Sequence, residues 1–414
     1  MHYGSKPWLV ALVQSPTRAL LATLAIVCFT VAGCDKVEGL VEDGKDLVNG
    51  GESTVANSPP VTTTPAQTQI THPETVVPAG PTPQQILEHF NGLQPSQISD
   101  GELAQLASSP EAAAAITEID MTGAEVSGKG LGYLSNLPNL ESLNASSTRI
   151  GEDSLAAIGQ SQSLRSINLS NSDANDRVVG ELSKIPHLQT LNLANTRIST
   201  DAARGLGAMR ELTDLSLMGS ATDQMVAGLT ALPIRRLDLS RSQITNASLP
   251  MLLQIPTLES LNVDWCRVTG DGFKGFGKSD IKELSVSSTA FGTEGLVAIK
   301  GMKSLEDLNV FEARILMQKN ANVFRSFPNL RILNAGKNSL TDAALEVFFK
   351  GHRSLEELHL PNHKAITDNG LQWLVGLKNL KLLNVVDTSV GARGAQALKQ
   401  KLPECTIQTS TGTF

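Results

Sequence analysis

The chain has 414 residues, a formal net charge of −7 and only 4% aromatic residues. That balance leaves no basic footprint for nucleic-acid binding. Seven His give no metal-ligating set, and no Ser-His-Asp or paired-carboxylate arrangement can be read from spacing.

The first segment reads as an address. Lys6 and Arg18 supply positive charge ahead of an apolar run from Ala19 to Ala32. At about 14 residues the run is shorter than the roughly 20 needed to span a bilayer, which fits a signal peptide better than a membrane helix. It ends in Val31-Ala32-Gly33-Cys34, which resembles the lipobox of bacterial lipoproteins. The resemblance implies cleavage before Cys34, acyl chains on that cysteine, and export to the periplasmic or cell-surface face of a bacterial membrane. More than one chain is required for stable anchoring. An ordinary secretory signal or an uncleaved anchor is the alternative reading. On this division residues 1–33 are the signal peptide, and 34–81 carry the lipidated Cys34 and a linker. Asp35 to Glu52 is acidic and interrupted by Gly39, Gly44, Gly50 and Gly51. Ser53 to Pro81 is mostly Pro, Thr, Ser, Ala and Gln, a composition with too little apolar surface to order itself.

Residues 82–115 read as a helical cap. Thr82-Pro83-Gln84-Gln85 places a capping hydroxyl, a first-turn Pro and a Gln at the third helical position. Ser99-Asp100-Gly101-Glu102 repeats the pattern. About 34 residues rarely fold alone, so the natural role is to cover the open end of a repeat array.

From Ile116 to Glu404 one phrase recurs about twelve times: L-x-x-L-x-L-x-x-(T/S/N/C)-x-(I/V/L), then a helical pattern, often closed by Pro. The openings are Ile116, Leu140, Leu164, Leu188, Leu212, Ile234, Leu258, Ile281, Leu305, Leu330, Leu355 and Leu380, roughly 22 to 25 residues apart. Apolar positions one, four and six face a core, and residues between them face out from a short strand. No unit can bury its own apolar face, so each needs its neighbours. Strands lie about 4.8 Å apart and helices about 10 Å, so helices on the outer side spread the stack into an arc. The phrase resembles the leucine-rich repeat family in its bacterial form, with a helix on the convex side. The resemblance implies an α/β solenoid of about 12 repeats, strands lining the concave face, and macromolecular recognition.

Within the repeats Asn144, Asn168, Asn192, Asn262, Asn309, Asn334 and Asn384 share position five, and a polar structural row is expected there. Departures from the pattern gather in the middle repeats. Outward positions there carry Met218, Arg236, Asp238, Arg241, Asp264, Trp265, Glu283, Asp307, Phe311 and Glu312. Aromatic and Arg residues are common interface anchors, so these ten form the candidate partner-binding patch; packing on neighbouring loops is the competing reading.

Other signals read as structure. Gly272 to Ser279 satisfies the Walker A string, yet it fills the helical half of one repeat with Phe273 and Phe276 in core-like positions, and no helix remains to receive phosphate. Cys266 falls at position nine, where burial is the default. Cys405 lies beyond the last repeat, too far along the stack for a disulfide. His359 and His363 are expected at the surface, and residues 405–414 as a last short strand with a polar tail. The function expected is a non-enzymatic, membrane-tethered module that binds a protein partner through its concave face, without cofactor, metal, nucleotide or nucleic acid. A structural scaffold of the cell envelope is the alternative, and an enzyme accessory the third reading.

Overall fold

Positions four of successive phrases meet in register, as the periodicity requires. Ile119 pairs with Leu143, Leu143 with Ile167, and so on to Leu358 with Leu383, every pairing parallel. The computed structural model describes residues 80–150, 158–316 and 323–414. Fourteen strands form one sheet in chain order among these residues, from Glu118–Asp120 to Gly412–Thr413. This is a leucine-rich repeat solenoid, with Pro81–Phe414 as one unit. The signal peptide, Cys34 and nearly all of the linker lie outside the described residues.

The helical halves deliver the expected core. Val178, Leu182, Ile185, Val226, Leu229, Leu232, Leu296, Ile299, Met302, Leu371, Leu374 and Leu377 are each at most 2% exposed. Their backbone is less regular than the pattern suggests. Several units hold a 3-10 turn in place of an α-helix, including Gly270–Phe273, Val323–Ser326 and Gly370–Leu374.

Each strand ends the same way. The Oδ1 of every Asn at position five accepts from the N–H two residues on, at 3.0 to 3.2 Å, and Asp238 does the same at 2.9 Å. The polar row is therefore structural: it satisfies backbone donors where the strand turns away. Three residues after position five the chain enters the left-handed region in all twelve repeats, from Gly123 and Ser147 to Asn362 and Asp387. The N–H of this eighth residue reaches the next repeat, as from Trp265 to the Ser287 carbonyl at 2.9 Å. At position nine a hydroxyl or amide donates back to the position-six carbonyl, from Thr148 to Ala145, Thr289 to Val286 and Asn338 to Ala335.

A second link runs along the helix starts. Asp176 accepts from Ser199, Asp223 from Thr245 and Ser248, and Asp342 from Thr367, each one repeat further on. These carboxylates lie in first helical turns, but they serve the following unit. Burial opposes ionisation of Asp223, yet the hydrogen bonds from Ser248 and Thr245 outweigh it and hold its pKa below the usual value.

The ends differ from expectation. Thr82 and Gln85 form the reciprocal capping box. Ser99 caps Glu102, whose carboxylate turns instead to His89 at 2.8 Å. A third cap helix, Pro110–Ala115, starts from Ser109 and buries Ala112 and Ala113. At the other end the tail is not merely polar. Gly412–Thr413 folds back antiparallel on Thr406–Thr409, and Phe414 packs against the core.

His363 is also a correction, since it is 2% exposed. It takes position nine, with its Nδ1 accepting from the Leu340 N–H at 3.4 Å. The Nε2 therefore carries the proton and donates to the Ala335 carbonyl at 2.9 Å. Burial pushes the pKa of both His363 and the buried His352 below the ordinary value, so both rings are neutral in the fold. The unfolded chain then binds more protons as pH falls below about 6.5. Stability from these neutral rings is complete above that pH and is lost as pH falls through the lowered folded values. His363→Asn, which copies Asn338 at the same position, should flatten the fall in melting temperature between pH 7 and pH 5. An unchanged slope would contradict this assignment.

Candidate functional site

Position eight has a consequence for the surface. A left-handed residue at the end of a strand turns its side chain away from the core, and the residues in this row are exposed in ten of twelve repeats. Gly, Asn and Asp tolerate this backbone, whereas a larger side chain costs roughly 1–2 kcal/mol there. Gly123, Asn171, Asn195, Gly219, Asn362 and Asp387 follow that preference. Trp265 breaks it, with φ 60° and 56% exposure. The Arg241 guanidinium from the preceding repeat lies over its ring at 5.3 Å, a cation–π contact.

The structure divides the ten candidate residues. Arg241 and Trp265 stand together on the rim. Met218, at position seven, is half-buried. Arg236 is ion-paired with the buried Asp214 on the neighbouring strand. Glu283 and Asp307 occupy adjacent strands at position three, in register with Arg236 through Ser260. Phe311 is half-buried against the next repeat, where a Cβ on Gly336 would come within 2.9 Å of its ring. That fits the loop-packing reading for this one residue. Glu312 pairs with Lys337 at 2.7 Å.

Asp238 and Asp264 point along the stack more than outward. Asp264 accepts from the Ser285 hydroxyl and the Ser287 N–H, both at 2.6 Å. Burial pushes its carboxyl up to about 6 despite those bonds, and the neighbouring Asp238 charge adds to the rise. Burial also raises Asp238. These two carboxylates join repeats five to eight and are poorly placed as direct contacts.

A further row is occupied by its own charges. At position two Arg235, Glu259 and Lys282 are linked at 2.5 and 3.1 Å. Glu306, Arg331, Glu356 and Lys381 follow at 3.9, 2.8 and 2.7 Å. Hydrogen bonds from Arg331 and then Lys381 lower the Glu356 pKa to about 2. Such exposed pairs add little stability individually, but they leave this edge with few uncommitted charges.

Beside Trp265 a groove of about 560 Å³ crosses repeats seven to nine. Arg267 and Arg314 at position ten flank it, with Val268, Thr289 and Glu312 also lining it. Neither arginine was singled out by the sequence pattern. A basic residue fills position ten in five repeats, as Arg149, Arg197, Arg267, Arg314 and Lys364, so the pattern gave no signal that set these two apart. Arg314 is left-handed at φ 59°, and among the described residues it is the sole positive-φ non-glycine residue outside the position-eight row.

The Walker-like string does not form a phosphate loop. Phe273 and Phe276 are fully buried, and two short 3-10 turns flank left-handed Gly275. Cys266 is buried at position nine, its Sγ 3.2 Å from the Leu239 carbonyl; burial pushes the thiol up to about 11, so it is not a reactive nucleophile. Cys266 and Cys405 are free thiols. Among the described residues no group of three or more His, Cys, Asp or Glu side chains is placed to hold a metal ion.

Comparison with known proteins agrees with the fold. A leucine rich repeat family model matches residues 254–277, the stretch containing Trp265. No curated protein matches the chain. A chain of the yeast Rad7–Elc1 complex is similar at TM-score 0.50 and 18% identity, over 78% of this chain and 87% of that one. An internalin (inlF) from Listeria monocytogenes gives TM-score 0.45 and 16% identity, over 75% and 93%. A chain of the TLR13–ssRNA13 complex gives 0.44 and 20%, over 74% of this chain and 45% of that one.

Replacing Trp265 by Asn removes the backbone penalty at a position where Asn171, Asn195 and Asn362 already stand. The variant should be at least as stable as the parent, gaining up to about 1 kcal/mol. A clear drop in melting temperature would show that Trp265 is retained for packing.

Proposed function

We propose that this protein is a non-enzymatic recognition module, tethered to a bacterial membrane through Cys34, that binds a protein partner through the strand face and rim of its middle repeats. One observation carries the reading. Of the large apolar side chains exposed among the described residues, Trp265 stands at a strand end, whereas Val297 belongs to the helix Gly292–Ala298. A single exposed apolar residue is ordinary, but an indole 56% exposed on a backbone that disfavours it, with Arg241 over its ring, has the make-up of an interface anchor. The strand face supplies the polar surroundings through Arg236, Glu283 and Asp307.

The tether follows from the signal-like segment, the lipobox-like residues before Cys34 and the Pro/Thr/Ser-rich stretch after it. A flexible spacer of that length has a root-mean-square span of about 35 to 40 Å, enough to hold the solenoid clear of a bilayer surface. Cys34→Ala should shift the protein out of the membrane fraction, and unchanged membrane retention would remove the lipid anchor from the reading.

Partner capture by the full chain tests the binding role. Combining Trp265→Ala with Arg241→Ala should abolish capture of a stoichiometric protein partner while the melting temperature is largely kept. Capture at parental levels by that variant, and by one carrying Arg236→Ala, Glu283→Ala and Asp307→Ala, would exclude this face.

A further inference from the structure

The groove beside Trp265 differs from the rest of the stack in three ways that point to one ligand chemistry. Three bulky residues in the left-handed region, Trp265, Glu312 and Arg314, line it together. Backbone strain of this kind persists where the surroundings hold it and gathers at functional sites. Its two arginines, Arg267 and Arg314, are exposed and form no ion pair among the described residues, whereas Glu312 pairs with Lys337 and the position-two residues Arg235, Glu259, Lys282, Arg331, Glu356 and Lys381 are all paired. Its acidic member, Glu312, is offset by Lys337 at 2.7 Å, so the groove presents net positive charge on a chain whose overall charge is −7. The floor is apolar or weakly polar, with Val268 and Thr289 buried beneath the arginines.

We propose that this groove docks a short acidic peptide segment of the partner, its carboxylates paired with Arg267 and Arg314 and an apolar side chain set against the Trp265 ring. Guanidinium groups bind carboxylates through two parallel hydrogen bonds, and an exposed indole supplies a rigid apolar wall. Arg241 over the ring holds the indole in place and adds positive potential. A long polyanion is disfavoured by the net charge of −7 on the chain as a whole. A short acidic segment meets only the local arginines. The proposal rests on the protein-binding reading above and names the chemistry of the contact.

The test uses the full chain and a fluorescein-labelled octapeptide of Asp and Glu residues interrupted by two Leu. The matching peptide with Asn and Gln in place of the acids is one control, and a single-stranded oligonucleotide of equal charge is the other. Anisotropy should show micromolar binding of the acidic peptide, weakened at least tenfold by 0.5 M salt, and at least tenfold weaker binding of the neutral one. Trp265→Asn, which should not lose stability, and Arg267→Gln with Arg314→Gln should each weaken acidic-peptide binding at least tenfold. Equal binding of the neutral peptide, tighter binding of the oligonucleotide through the same residues, or undiminished binding by folded variants would overturn the proposal. Partner capture by Trp265→Asn separates the two levels. Capture retained together with no acidic-peptide binding rejects the acidic dock alone. Capture absent from the parent protein rejects the recognition role itself.

Discussion

The left-handed residue that ends every strand sets most of what the molecule can do. It turns the chain from the sheet toward the helical side, and its N–H bonds the carbonyl of the next repeat, as Trp265 does with Ser287. The Asn three residues earlier holds the turn open from within, and the position-nine side chain closes it from below. Together these bonds extend the pairing between repeats beyond three-residue strands that would be short on their own. Because the position-eight side chain contributes little to this network, its identity is free to serve the surface. Most repeats place a small or permissive residue there. Repeats six and seven place Arg241 and Trp265, and repeats nine and ten Glu312 and Lys337.

Charge follows the same logic of neighbours. Charged side chains join residues one repeat apart, from the hydrogen bond that Asp223 accepts from Thr245 at the helix starts to the ion pairs of the series from Arg235 to Lys381. Asp264 lies on the inner side of the rim, bonded to Ser285 and Ser287 and raised toward 6 by burial. Arg267 and Arg314 take no part in these pairs. They stand beside the residue that departs furthest from the backbone's preference.

Much of the fold was legible because the repeat encodes it redundantly. Leucines at positions one and four, Asn at position five and the subsequent helical spacing each recur, and an occasional departure does not blur the register. The parts that escaped are those with no repetition behind them. The helix Pro110–Ala115 starts with Ser109-Pro110 much as the first cap helix starts with Thr82-Pro83, but its run of alanines has no amphipathic stripe. His363 looks like a surface residue until its position nine is recognised as the slot filled elsewhere by Thr148 or Asn338. The hairpin at Gly412 depends on Phe414 returning to Ile407, a contact no periodicity announces. The ten-residue patch was found by departure from pattern. That criterion located Trp265 and Arg241 but could not distinguish side chains facing outward from Asp238 and Asp264, which turn along the stack. It also passed over Arg267 and Arg314, whose importance lies in a groove formed only when repeats seven to nine are stacked.

Trp265 carries the strongest claim, that an indole held at energetic cost on the rim is the anchor of a docking surface. Acrylamide quenching reads it directly in a chain whose other two tryptophans, Trp8 and Trp373, are replaced by Phe. Without partner the Trp265 fluorescence should quench as a largely exposed indole does. With the captured partner bound, quenching should fall several-fold. An indole already shielded in the free protein, or equally quenchable in the complex, would contradict its role as the anchor.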